Sequence, residues 1–488
     1  MQFNSLQFMI FFPIVVVGYF VIPDKHKNKW LLALSYYFYM CWNAVYALLI
    51  FFSTFSTWIC GNFVDKPNAR ESTRKLFLGI NVTVNLLILF FFKYYGMFAD
   101  LVSRLFGAVG IAVQLPALSV LLPVGISFYT FQALGYSIDV YRKKLRHERN
   151  FLDYALFVSF FPQLVAGPIE RSENLLPQLK RANRFTYNNF SIGMRMMLLG
   201  FFKKVVIADN ISVVVDRFYD NLSIWPGPLL ILGVVLFTLQ VYCDFSAYSE
   251  IARGAAKVMG FDLMLNFDHP FFSRSVTEFW RRWHISLGGW FRDYLYIPLG
   301  GNRKGNIRTY VNLFTVFLVS GLWHGASYTF VIWGGMHGAM QVVERFFALR
   351  RKKLGRQQSN TTLANLARMT FTFAFVVLTM TFFRSETFSQ AAHIVAGSIR
   401  GWGVLASPAG FIAATVSLFG SAKVMAIVLA SAVVLGVVEV IEVCKNKQFH
   451  NLVDGLKAPY RWAIYYAFLF AIAVFGCFQA SAFIYFQF

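Results

Sequence analysis

Charge is the scarcest commodity in this chain. Only 14% of its 488 residues are Asp, Glu, Lys or Arg, where an ordinary soluble protein carries about 25%. Acidic groups are the scarcer sign, with 23 Asp and Glu against 45 Lys and Arg and a net charge of +22. Cysteine is limited to five residues, Cys41, Cys60, Cys243, Cys444 and Cys477, with no C-x-x-C pair. All five lie in or beside apolar runs, so they read as small buried hydrophobes rather than disulfides or metal ligands. No HExxH, no GxSxG and no phosphate-cradling glycine loop is present, which removes the simplest zinc-peptidase, esterase and nucleotide-binding readings. The glycine pairs at 300–301 and 334–335 are too isolated to count. The N-terminus, "MQFNSLQFMIFFPIVVVGYFVIPDKHKNK", lacks a basic leader and a small-residue cleavage site, so it reads as a retained first helix.

What the chain has in abundance is apolar sequence. Hydrophobic residues make up 57% of it, and its mean hydropathy is +0.54. About ten to twelve runs approach the length of a membrane crossing. Candidate spans are 5–22, 31–52, 76–98, 118–140, 190–207, 227–245, 308–322, 326–346, 364–383, 409–441 (with room for a break) and 461–483. The expected class is an all-α, multi-pass integral membrane protein, with residues 1–488 as a single domain. The 56 phenylalanines then serve lipid contact and core packing. Basic residues gather in short loops, at 24–29, 141–149 and 350–356. The positive-inside rule places those loops in the cytoplasm. The same distribution argues against nucleic acid as a partner, since no basic groove or binding module accompanies it.

Two segments break the pattern. "FLDYALFVSFFPQLVAGPIE" follows the basic stretch "YRKKLRHERN" and precedes Arg171, Lys180, Arg181 and Arg184. A run that leaves and re-enters the same face is re-entrant, tolerated only where protein or a watery cavity shelters its backbone. A full crossing with a basic loop outside is the alternative. In "SRSVTEFWRRWHISLGGWFRDYLYIPLGGNRKGN", a helix over Ser275–Leu287 puts Val276, Phe279, Trp280, Trp283 and Leu287 on one face. Glu278, Arg281 and Arg282 fall opposite, and His284 at the boundary. That suits a helix lying in the membrane interface, ended or bent by Gly288 and Gly289.

Ionisable residues inside a bilayer are costly and mark function or pairing. Glu250 and Arg253, at i,i+3, form a candidate ion pair, while Asp244 has no basic neighbour in sequence. Asp268 and His269 fall in a loop before Pro270, with structural and catalytic roles both open. His324, in "SGLWHGASYTFVIWGGMHG", is placed by the lengths of its flanking runs at the turn of a helical hairpin. A lone membrane histidine can be an interhelical hydrogen bonder. Gly321 and Gly325 suggest space beside its ring, and a desolvated neutral imidazole can accept a proton from a hydroxyl. His324 and His337 are thirteen apart and fall on different sides of a helix, so no metal set forms.

Taken together, "SGLWHGA", "TEFWRRWHISL", "RDYLYIPLGGNR", "YCDFSAYSEIARG", "NFDHPF" and "FFPQLVAGPIER" resemble the membrane-bound O-acyltransferase family, in particular its alginate O-acetyltransferase branch. The resemblance is dense over about 125–345. It implies a ring of about eleven transmembrane helices, with re-entrant and interfacial segments, around a central tunnel. It implies a catalytic role for His324 and a second motif histidine at His284. Substrate or tunnel contacts would come from Trp323, Gly321, Gly325, Asp244, His269, Arg281 and Arg282. It implies no metal and no tightly bound cofactor, and acetyl-CoA as the cytoplasmic donor. The implied partners are membrane lipid, a polysaccharide acceptor and an extracytoplasmic acetyl-carrier or transferase protein, at the inner (plasma) membrane of a bacterium. Gly288 and Gly289 depart from the branch, which usually has hydroxyl residues after "WHISL". D-alanyl transfer to teichoic acid is the alternative within the family. A transporter or channel is the alternative outside it.

Overall fold

The computed structural model describes residues 1–113, 115–116, 121–355, 357–478 and 483–484. The ends of two expected spans (118–120 and 479–482) and Arg356 of the third basic loop lie outside the described residues. Among the described residues every regular element is a helix. Six are long and apolar enough to cross a membrane: Tyr46–Val64, Glu71–Ala108, Gly227–Val258, Thr362–Arg384, Ala422–Lys445 and Ala458–Phe475.

Caps set many of the boundaries. Ser5, Ser275, Ser327, Thr361 and Ser421 each accept a hydrogen bond from a first-turn amide, satisfying donors that a helix start leaves orphaned. Between the 31–52 run and the structure there is a difference. One helix ends at Met40 and the next begins at Tyr46. Apolar residues continue across the intervening turn, so hydropathy alone joins what the backbone separates. The 409–441 run does break, at Gly420, whose φ of 77° needs a residue without a β-carbon. Among the described residues three helices carry π-helical stretches, at Phe90–Tyr94, Phe202–Ala208 and Arg292–Tyr296.

The 151–170 segment holds a nine-residue helix, Phe151–Ser159, and a single turn, Phe161–Leu164. At 1.5 Å per residue the longer piece rises only about 14 Å, half of a bilayer core. Residues 154–170 are all buried. Gln132 and Gln163 both donate to the carbonyl of Phe157 (2.7 Å each), and Ser286 Oγ accepts from the amide of Ile169 (3.0 Å). Protein thus shelters this irregular backbone, as membrane depth requires.

Buried apolar side chains form two large clusters. One joins the N-terminal helices to 124–179 and the 245–263 stretch, and includes Trp323. The other joins 202–243 to Phe279, Trp283, Phe330, Trp333 and Phe383. The helical hairpin Gly305–His324 and Tyr328–Lys353 bridges them. Of the cysteines, Cys60 and Cys243 are buried, whereas Cys41, in the turn after Met40, and Cys444, on an outward face of the Ala422–Lys445 helix, are exposed.

A buried histidine at the seam of two cores

His324 is the last residue of its helix, and three residues separate it from Tyr328. It stands at the hairpin turn, as the run lengths predict. The ring is 3% exposed. Trp323 lies against it on one side (4.9 Å between centroids), with Trp333 (5.0 Å) and Phe383 (5.3 Å) on the other. It therefore sits where the two clusters meet. His337 lies on the facing helix of the hairpin, with Trp333 between it and His324. The sequence reading of opposite sides of one helix does not hold, because the turn folds the second histidine back. His337 is held by Trp280 Nε1 (3.1 Å) and Thr379 Oγ1 (3.0 Å).

The space expected beside Gly321 and Gly325 is already filled. A β-carbon on Gly325 would overlap the Phe330 ring and stand 2.9 Å from its Cζ. On Gly321 it would collide with the main chain of Phe330 and lie 3.2 Å from Cα of Gly334. These glycines let two helices approach closely, as small residues do in membranes. They fix the histidine's position rather than make room around it.

His284 is fully buried, and its environment corrects the single interfacial helix. The segment splits into Val276–Arg282 and Ile285–Phe291. The break falls at His284, with φ 45°, while Gly288 and Gly289 lie inside the second helix. The cause is hydrogen bonding to the preceding loop. The amide of Asp268 donates to the carbonyl of Arg282 (2.9 Å), and that of Ile285 to the carbonyl of Asn266 (3.0 Å). Asn266 Oδ1 also accepts from Ser286 N–H (3.2 Å) and Ser286 Oγ (2.8 Å). The N–H fixes that atom as an acceptor, so His284 Nδ1, 3.3 Å away, must be its donor. The second ring nitrogen of His284 is then the unprotonated one. Val276, Phe279, Trp283 and Leu287 are buried in protein, not laid on lipid. Trp323 lies against both histidines, 4.9 Å from the ring of His324 and 5.9 Å from that of His284.

Two cavities adjoin this centre. The larger, of about 670 Å³, is lined by Arg171, Arg281 and Arg292, by Gly288 and Gly289, and along the hairpin by Leu313, Phe317 and Ser320. Ser320 is one helical turn before His324, so this cavity ends within about 6 Å of it along the axis. Asp293 partly neutralises its rim, pairing with Arg171 (3.0 Å) and Arg292 (2.8 Å). The smaller, of about 30 Å³, is lined by His324, Trp323, Lys93 and the chain from Leu122 to Phe128.

Other expected site residues stand elsewhere. Asp244 is buried in an ion pair with Lys204 (2.7 Å) and accepts from the amide of Ile484 (2.8 Å). Its partner lies on another helix, out of sight in the local sequence. Glu250 pairs with Lys203 (2.8 Å), while Arg253 reaches toward the carbonyl of Leu263 (3.4 Å), so the expected i,i+3 pair does not form. Arg282 turns to Glu278 (2.9 Å), leaving only Arg281 of that pair on the larger cavity. His269, with φ 48°, bridges Asp268 and Glu442 at 2.9 Å each and ties its loop to the Ala422–Lys445 helix. Burial would lower this imidazole, but the two carboxylates hold it up at about 9.

Sequence reasoning missed Lys93 and Asn266. Lys93 Nζ donates to the carbonyls of Trp323 (2.7 Å) and His324 (3.1 Å), and the Tyr94 hydroxyl to that of Leu322 (2.9 Å). The signal was available, because Lys93 is a lone charge inside "LILFFFKYYGMF".

Comparison with known proteins accords with this arrangement. A model of the membrane-bound O-acyltransferase family matches residues 141–385. A probable alginate O-acetylase of Pseudomonas putida is 40% identical over 395 residues, covering 81% of this chain and 79% of its own. A peptidoglycan O-acetyltransferase of Helicobacter pylori is 33% identical, again covering 81% of this chain and 79% of its own. A teichoic acid D-alanyltransferase of Streptococcus thermophilus is 28% identical, covering 51% of this chain and 63% of its own.

Proposed function

The chain belongs to the membrane-bound O-acyltransferase family, and on that premise we propose that it carries an acetyl group from cytoplasmic acetyl-CoA to a polysaccharide acceptor outside the inner membrane. His324 is the general base. It takes the proton of the attacking hydroxyl, and that proton leaves on the CoA thiol. His284 acts from the donor side, held in one tautomer by Asn266. Trp323 packs against both rings. The observation that carries this reading is the approach of the arginine-rich cavity to within one turn of a histidine sealed between two apolar cores. Arg171, Arg281 and Arg292 suit the phosphates of CoA. The two aromatic walls keep water from the thioester. The larger cavity serves as the donor end of a passage whose acceptor end opens on the opposite face. A separate secreted or membrane-tethered carrier protein receives the acetyl group there. The D-alanyltransferase relatives align with only about half the chain, which favours acetyl over D-alanyl transfer.

Release of free CoA from acetyl-CoA by the purified protein in vesicles, with alginate oligosaccharide supplied as the hydroxyl acceptor, is the test. A transporter leaves the thioester intact. His324→Ala should fold and insert yet lose about 10²–10⁴ in rate, the usual contribution of a positioned base. Wild-type turnover by that variant would return His324 to a packing role.

A further inference from the structure

Two buried lysines inside the helices of this protein come with carboxylates. Lys203 has Glu250 at 2.8 Å, and Lys204 has both Asp244 at 2.7 Å and Asp209 at 2.9 Å. Lys93 is different. Among the described residues no carboxylate lies within ion-pair distance of it, and its protein acceptors are two neutral carbonyls, those of Trp323 and His324. Its ammonium has three donors, so one remains. The side chain lines the same small cavity as His324. That cavity, about 30 Å³, admits only a small group. Lys93 also sits in a π-helical turn, which carries one extra residue and alters the direction of the side chain. Lys93 is part-buried, with the Trp323 ring 5.9 Å from its Nζ, and a cation without a carboxylate partner in an apolar helix is free to receive an anion. The anion that arises beside His324 during acyl transfer is the oxygen of the attacked carbonyl.

Resting on the acyl-transfer reading above, we propose that Lys93 is a catalytic residue whose free N–H binds the oxyanion of the tetrahedral intermediate beside His324. The acceptor oxygen adds to the thioester carbon as its proton passes to His324. The carbonyl electron pair moves to the oxygen, which Lys93 holds. Collapse re-forms the carbonyl, breaks the carbon–sulfur bond, and the thiolate takes the proton back from His324. The same lysine clamps the carbonyls on either side of the His324 peptide, so base and oxyanion donor share one frame.

The test uses the protein in vesicles with acetyl-CoA and alginate oligosaccharide as the hydroxyl acceptor, reading CoA release. Lys93→Gln keeps a neutral donor for the carbonyls, and Lys93→Arg keeps the charge. The expected result is a loss of about 10²–10³ in kcat for Lys93→Gln, the scale of one oxyanion donor. KM for acetyl-CoA should stay within about twofold, and Lys93→Arg should turn over at least about tenfold faster than Lys93→Gln. Equal rates for the two variants, or a change confined to KM, would overturn the proposal. A second measurement needs no substitution. S-carboxymethyl-CoA, whose carboxylate mimics the oxyanion, should bind wild-type protein at least about tenfold tighter than S-ethyl-CoA. Equal affinities would also overturn it. A wild-type protein that releases no CoA would instead overturn the acyl-transfer reading itself.

Discussion

A β-carbon added at Gly325 should be corrected by shortening a side chain on the facing helix, whereas one added at Gly321 should not. Both glycines face the start of the second hairpin helix, yet they meet different obstacles. At Gly325 the three nearest atoms all belong to the Phe330 ring. At Gly321 they are the carbonyl oxygen and carbon of Phe330 and Cα of Gly334. The φ of Gly325 is −164°, extended backbone open to any residue, so the penalty there is steric alone. Overpacking of this kind costs about 1–3 kcal/mol. Phe330→Leu removes the far ring carbons and should cost about 1 kcal/mol by itself, since the residue is buried. In the Gly325→Ala/Phe330→Leu pair the overlaps with Cε2 and Cζ are gone and the one at Cδ2 falls on a methyl that can rotate away, so the two costs should fall short of their sum by at least about 1 kcal/mol. Gly321→Ala should gain nothing from Phe330→Leu, because its obstacle is main chain. The assay is the midpoint of heat-induced loss of the monodisperse protein in detergent, measured for each single and double variant. The same ordering should appear in CoA release, since Gly325 adjoins His324. Additive losses for the Gly325→Ala/Phe330→Leu pair would show that these glycines do not set the hairpin spacing.

Three further outcomes follow from the ion pairs and the larger cavity. Asp244→Asn leaves Lys204 with Asp209 alone, so the yield of folded protein should fall by an amount reflecting a few kcal/mol, about 3–5 for an uncompensated buried charge and less where one partner remains; CoA release per folded molecule should stay near wild type. Arg281→Ala should raise KM for acetyl-CoA about five- to tenfold, with a weaker effect at high salt, while Arg282→Ala, whose partner is Glu278, should leave KM unchanged. His269 is held at about 9 in the fold, above the unfolded value near 6.5; its contribution to stability is therefore full below about pH 6.5 and lost as pH rises through about 9, and His269→Gln should flatten the decline in heat stability over that window.

Hydropathy was enough to reveal the class of fold, because apolar runs of membrane length leave few alternatives. The lengths of two such runs placed His324 at a hairpin turn. That 151–170 breaks the pattern of long spans was legible from its flanking charges and its prolines, and the structure gives it two short helices. What the sequence could not carry was any feature set by contact between distant segments. Gly321 and Gly325 look the same in sequence whether they open a space or admit a neighbour, and only Phe330 on the facing helix decides between the two. The break at His284 depends on Asn266 and Asp268 drawing the peptide groups of 282–285 out of helical pairing. Pattern analysis of the segment alone sees a continuous amphipathic helix. Asp244 looked unpaired because Lys204 belongs to another helix.

The three π-helical stretches share a property that bears on mechanism. Each carries charged residues: Lys93 in the first, Lys203 and Lys204 in the second, Arg292 and Asp293 in the third. A π turn costs hydrogen-bond geometry and persists where an extra residue must be accommodated or a side chain re-aimed. In the second stretch the re-aimed lysines meet carboxylates, and the pairs join the 187–220 and Gly227–Val258 helices. In the third, Arg292 and Asp293 reach the rim of the larger cavity. In the first, the lysine meets carbonyls and a cavity. The same backbone device thus serves two ends, and the presence of a counter-ion separates them. In the second stretch, where protein supplies the anion, the charge joins helices. In the first, where no carboxylate is at hand among the described residues, the proposed acyl transfer would bring the anion with the substrate.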